Sequence, residues 1–146
     1  MKNLFVIFLF GVLFTACKNT LINQKINKRK EGVWIQEYSE DNLHYKSYEY
    51  YKNDIPVKKW KSYINNKIYK TEKYKNGICI VKYYHENGKL QSKGKTKIET
   101  DSVETHWFYF GEWQFYSDKG KLTEIKKYNK GELISEQSVK KITLKK

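Results

Sequence analysis

The chain has 146 residues, a formal net charge of +13 and 16% aromatic residues, with two cysteines and a single proline. Two cysteines allow one bridge at most, and none if either is modified, so a domain of this size must be held chiefly by packing, and one proline suits uninterrupted β-ladders, where proline would remove a donor. On a cytosolic protein such a charge would suggest nucleic acid, but the basic residues are all lysine except Arg29; base and phosphate recognition draws on the planar fork of arginine, and no nucleic-acid partner is assigned.

The N-terminal stretch MKNLFVIFLFGVLFTAC places one lysine ahead of an apolar run from Leu4 to Phe14. That run is too short for a bilayer-spanning helix of about 20 residues, and residues 1–16 read as a signal-peptide helix removed on export. Thr15 and Ala16 then lead into Cys17, which resembles the lipobox of bacterial lipoproteins; Phe14 departs from the leucine that pattern favours. The resemblance implies a diacylated Cys17 as the new N-terminus, and several acyl chains, at about 0.8 kcal/mol per buried methylene, anchor a protein without spanning. The location this implies is the bacterial cell envelope, lipid-anchored, on the outer membrane facing the periplasm. The sequence CKNT lacks the acidic run of surface-export signals found in some lipoproteins.

Residues 18–30, KNTLINQKINKRK, hold five basic residues and no acid. Together with Cys17 they read as a flexible tether, residues 17–30, with a typical reach of about 20 Å. Its charge favours anionic headgroups within a Debye length of about 8 Å.

From residue 31 onward one phrase recurs, and a repeat takes priority over local secondary structure. VKYYHENGKL (81–90) and WQFYSDKGKL (113–122) are near copies; Trp34 to Leu43 has the same nine-residue spacing, and Trp60 to Ile68 is one shorter. The predicted unit is strand, turn, strand, turn. Gly88 and Gly120 in the first kind of turn, and Gly77 and Gly131 in the second, fall where a hairpin requires positive φ. Between Leu90 and Trp113 the third unit carries an insertion, about 91–112, predicted as an extra or lengthened hairpin with HWFYF returning. The basic tail 138–146, SVKKITLKK, alternates enough to add an edge strand.

Gly32–Trp34, Gly111–Trp113, YYHENGKL, YSDKGKL, YKNG and YNKG resemble MORN repeats (membrane occupation and recognition nexus), in the bacterial variant of YwqK-family antitoxin proteins, over about Glu31 to Leu133. The fold predicted for residues 31–137 is all-β, an elongated antiparallel meander of stacked hairpin repeats following the signal helix. Single hairpins are marginal in water, so each unit must be covered by its neighbours, chiefly through aromatic rings that bury about 150–250 Å² each.

No catalytic, metal or cofactor site is predicted. GKT at 94–96 is not a P-loop, because five residues rather than four separate Gly88 from Gly94 and no helix follows. His44, His85 and His106 lack zinc spacing, Glu99, Asp101 and Glu104 read as a solvated loop, and Cys79 sits in an apolar run as a small buried hydrophobe. The function predicted is a membrane-anchored, monomeric protein-binding or scaffold module, with Trp34, Trp60, Tyr83, Tyr84, Trp107 and Trp113 as the candidate binding surface. The resemblance implies an alternative, an antitoxin or immunity protein that neutralises a toxin by direct binding.

Overall fold

A computed structural model describes residues 22–100 and 105–139. They form one open antiparallel sheet of eleven strands: β1 (Gln24–Ile26), β2 (Arg29–Glu40), β3 (Leu43–Lys52), β4 (Ile55–Pro56), β5 (Lys58–Ile64), β6 (Lys67–Lys75), β7 (Ile78–Tyr84), β8 (Leu90–Thr100), β9 (Thr105–Tyr116), β10 (Leu122–Asn129) and β11 (Glu132–Ser138). Spatial order follows chain order, with β4 a short spur on β3. The result is a meander, and no helix occurs among the described residues. The signal helix, Cys17, Asp101, Glu104 and most of the basic tail lie outside the described residues.

Turn chemistry makes this topology. Asn27–Lys28, Asp41–Asn42, Asn53–Asp54, Asn65–Asn66, Asn76–Gly77 and Lys130–Gly131 each carry two consecutive positive φ values, the condition for a two-residue turn whose twist matches that of the strands. The near-copied phrases use a longer turn twice. His85 N–H donates to Lys89 C=O at 2.9 Å and Gly88 N–H to His85 C=O at 2.8 Å; Ser117, Lys121 and Gly120 repeat the pattern at 2.8 and 2.8 Å. Both turns lie at one end of the sheet and touch: Asn87 Nδ2 donates to Asp118 C=O at 2.9 Å. Gly77, Gly88, Gly120 and Gly131 all have positive φ. Insertion 91–112 is a lengthened hairpin, β8 with β9.

The tether is a correction. The sheet begins at Gln24 rather than after residue 30, because Asn27–Lys28 turns β1 onto β2 with Lys25 opposite Lys30. Asn23 then closes this edge: its carboxamide accepts from Ile35 N–H at 2.7 Å and donates to Ile35 C=O at 3.2 Å, standing in for a further strand.

A second rule recurs inside the strands. Two residues before Trp34, Trp60 and Trp113 stand Gly32, Lys58 and Gly111, with φ of 78°, 62° and 68°, each paired with a tyrosine (Tyr51, Tyr74 and Tyr128). Two of these positions use glycine, and the third forces lysine into the left-handed region, at about 1–2 kcal/mol. Lys58→Gly is expected to stabilise the fold by about 0.5 kcal/mol once the entropy that glycine gives the unfolded chain is deducted; the urea midpoint should rise, and Gly111→Ala should lower it.

The core is small. Among the described residues Cys79, Val81 and Trp113 are the buried apolar ones, with Tyr74, Tyr83, Phe115 and Tyr128 packed against them. It belongs to β6–β10, the C-terminal half of the ribbon.

Candidate functional site

Strand register sorts the side chains onto two faces. One carries Trp34, Tyr51, Trp60, Tyr74 and Trp107, whose rings make an unbroken ladder with centroid separations of 6.2, 4.9, 4.7 and 5.9 Å. Such contacts contribute about 0.5–1.5 kcal/mol each beyond area burial. Trp60 is pinned by its indole N–H, which lies 3.1 Å from both Tyr50 C=O and Val57 C=O. Trp113 Nε1 donates likewise to Lys95 C=O at 3.0 Å, but Trp34 Nε1 is buried without a partner. In the first unit no full-length preceding strand supplies the carbonyl, since β1 pairs only through Glu31.

Below the ladder, across β2, β3, β5 and β6, lies an open trough of about 870 Å³. Tyr51, Trp60, Tyr74 and Trp107 form one wall, Tyr38, Tyr45 and Tyr69 line it further along, and Gln36, Ser47, Glu49, Ser62, Lys70 and Glu72 are among its polar lining. Glu49 is held by three neutral donors: Tyr51 OH at 2.9 Å, Ser47 Oγ at 3.0 Å and Gln36 Nε2 at 3.2 Å. Glu72 pairs with Lys70 at 3.0 Å and accepts from Tyr74 OH at 3.1 Å. Burial pushes the Tyr51 and Tyr74 phenols well above their ordinary range, with the carboxylates of Glu49 and Glu72 adding to it. Burial works to lower the Lys70 ammonium, but Glu72 outweighs it and the group stays above its usual value.

The other face is cationic. Lys59 stands directly opposite Lys73, and Lys82 opposite Lys93, with Lys61 and Lys95 in the same rows. Like charges so placed cost stability and discourage stacking of sheets on one another.

The six predicted surface aromatics do not stay together. Trp34, Trp60 and Trp107 belong to the ladder, and Trp107 is 47% exposed. Trp113 is a correction: at 2% exposure it is the centre of the core. Its ring lies on the backbone of Gly94, where an added Cβ would fall 2.1 Å from ring carbon. Tyr83 packs beside this core, whereas Tyr84 points to the cationic face, its hydroxyl 3.4 Å from Thr71 Oγ1. The sequence reading missed Tyr51, Tyr74, Glu49 and Glu72. Only the tyrosines left a signal, each opposite the left-handed residue that precedes a tryptophan.

Remaining polar clusters are structural. His85 Nε2 lies 2.9 Å from Tyr116 C=O, tying the two long turns together, and His44 pairs with Glu37 at 2.9 Å. Among the described residues no group of His, Cys, Asp or Glu is arranged to hold a metal. Cys79 is fully buried, and burial, aided by Glu72, pushes its thiol up to about 11 from 9.0. The unfolded chain therefore gives up this proton first, so its contribution to stability is full below about pH 9 and is lost as pH rises toward about 11. In a Cys17→Ser variant, where Cys79 is the sole thiol, alkylation is expected only at the rate of unfolding, and adding urea should release it; labelling kinetics check this.

No known protein family, curated sequence or solved structure matches the chain.

Proposed function

We propose that the chain is a membrane-anchored lipoprotein of the bacterial envelope, held by acyl chains on Cys17, whose MORN-like repeat sheet holds a protein partner on its aromatic face. The observation that carries the reading is the trough: a wall of contiguous rings over a polar floor, left open on a protein otherwise coated with lysine. Tyrosine and tryptophan suit such partly wet contacts, since an apolar body and a polar tip serve one side chain. The family likeness rests on the recurring hairpin phrases, and the anchor on the residues around Cys17.

Trp107 provides the test, because it ends the ladder while half exposed and can be removed without opening the core. Trp107→Ala is expected to keep stability within about 1 kcal/mol of the parent and to lose the partners captured by the intact lipoprotein. Capture unchanged in a folded Trp107→Ala protein would count against this face. Separately, Cys17→Ser should abolish fatty-acid labelling and release the protein from the membrane fraction.

A further inference from the structure

The trough holds one half-buried charge that no salt bridge compensates. Glu37 pairs with Lys46, Glu72 with Lys70, Glu99 with Lys97, and Glu124 and Glu136 with Lys126. Glu49 makes no salt bridge with any described residue, although this is a chain of net charge +13. Its two oxygens are instead fixed by the neutral donors Tyr51, Ser47 and Gln36. Three neutral hydrogen bonds orient a carboxylate without cancelling its charge, and a half-buried anion so held is poised for an incoming cation.

The walls suit the same ligand. Tyr51 and Trp60 stand beside Glu49 with ring centroids 4.9 Å apart, and ring faces attract ammonium groups. The chain displays the contact itself: Lys30 Nζ lies 4.6 Å from the Trp34 ring and 4.5 Å from the Tyr51 ring, so of the two rings beside Glu49 it is Trp60 that carries no ammonium among the described residues. Asp54, a further acid of the trough lining, has no paired cation either, but it is exposed in the Asn53–Asp54 turn, where water screens its charge, which leaves Glu49 as the half-buried unpaired anion.

We propose that Glu49, oriented by Tyr51 and flanked by the ring of Trp60, is a receptor for a lysine side chain carried on an extended segment of the protein partner. The proposal rests on the reading of this face as protein-binding and adds the chemistry of the residue recognised. An extended segment fits because the trough runs across several strands, so a lysine would enter from a chain lying along the ring wall.

The test is calorimetric titration of the detergent-solubilised full-length chain at about 0.15 M salt with a short end-blocked Lys-Thr alternating peptide. Its Nε-acetylated form and chitotetraose, a neutral sugar that could also use ring walls, are run in parallel. The lysine peptide is expected to bind and the acetylated peptide and sugar not to. Glu49→Gln, which keeps a hydrogen-bonding shape but removes the charge, should weaken binding about tenfold or more. Gln36→Lys, which sets an ammonium of the chain's own beside Glu49 without touching the core, should weaken it comparably, and Glu86→Gln in a distant exposed turn should leave it unchanged. Equal binding by Glu49→Gln and the parent, preference for the acetylated peptide or the sugar, or no binding of the lysine peptide at low-millimolar concentration would each overturn the proposal. In any of these cases, loss of partner capture by Trp107→Ala would still leave the protein-binding reading standing.

Discussion

Gly94→Ala is expected to destabilise the fold by about 3 kcal/mol or more, as if most of a buried tryptophan had been deleted. The backbone at Gly94 has ordinary φ, so the cost is not conformational. It is steric: a Cβ there would sit 2.1, 2.2 and 2.4 Å from three carbons of the Trp113 ring. That ring cannot slide aside cheaply, because Tyr109 stacks on it at 4.3 Å and its indole N–H is committed to Lys95 C=O. Thermal unfolding should fall by on the order of 10 °C. A double-mutant cycle isolates the cause. With Trp113→Ala already present, Gly94→Ala should cost almost nothing, since the collision has gone and alanine restricts the unfolded chain. Additive costs would mean that Gly94 serves something other than a seat for this ring.

The contrast between Gly94 and Glu49 explains why similar phrases perform different tasks. Residues 111–113 bulge opposite Gly94, since Phe110 pairs with Lys95 and Gln114 with Lys93. Residues 58–60 bulge in the same way opposite Glu49: Lys61 pairs with Tyr48, and Val57 N–H donates to Tyr50 C=O. Trp113 therefore sinks onto a backbone with no side chain, whereas Trp60 meets a carboxylate and stays partly open. One substitution in the facing strand separates a core tryptophan from a trough tryptophan.

Much of the fold was legible because turns and recurring phrases are local. HENGK and SDKGK, Asn-Gly and Lys-Gly state their turn geometry in adjacent letters, and their spacing gives the meander. What was not legible depends on the facing strand. Gly94 reads as a fragment of a phosphate loop until Trp113 is seen on top of it. Trp113 looks as available as Trp107, because repetition shows which letters match and not which of them are covered. Lys58 conceals its left-handed backbone under a residue type that rarely adopts one, and Asn27–Lys28 hides a turn inside a polar segment that reads as tether. Glu49 is one acid among tyrosines, and that it makes no salt bridge with the described lysines appears only once the strands are set in register.

Trp60→Ala is expected to cost about 2–4 kcal/mol, less than a fully buried tryptophan, and to do so unevenly along the ribbon. The ring is the middle rung of the ladder, touching Tyr51 and Tyr74 at 4.9 and 4.7 Å, and its loss removes the indole donor to Val57 C=O and leaves Tyr50 C=O with Val57 N–H alone. Contacts in a single-layer meander pass mainly between adjacent strands, so stability approximates a sum of local and nearest-neighbour contributions, as in repeat proteins. Among the described residues the buried apolar ones lie on β7 and β9, which leaves β2–β5 held chiefly by the ladder. Hydrogen exchange of Trp60→Ala should therefore show β2–β5 losing protection while β7–β10 retain it; uniform loss along the chain would instead mean one cooperative unit. The same economy bears on function. The half of the sheet that carries the trough is the half without a sealed core, so the rings that would receive a partner are also those that hold their own strands together, and an occupant spanning β3 to β6 should raise protection there before anywhere else.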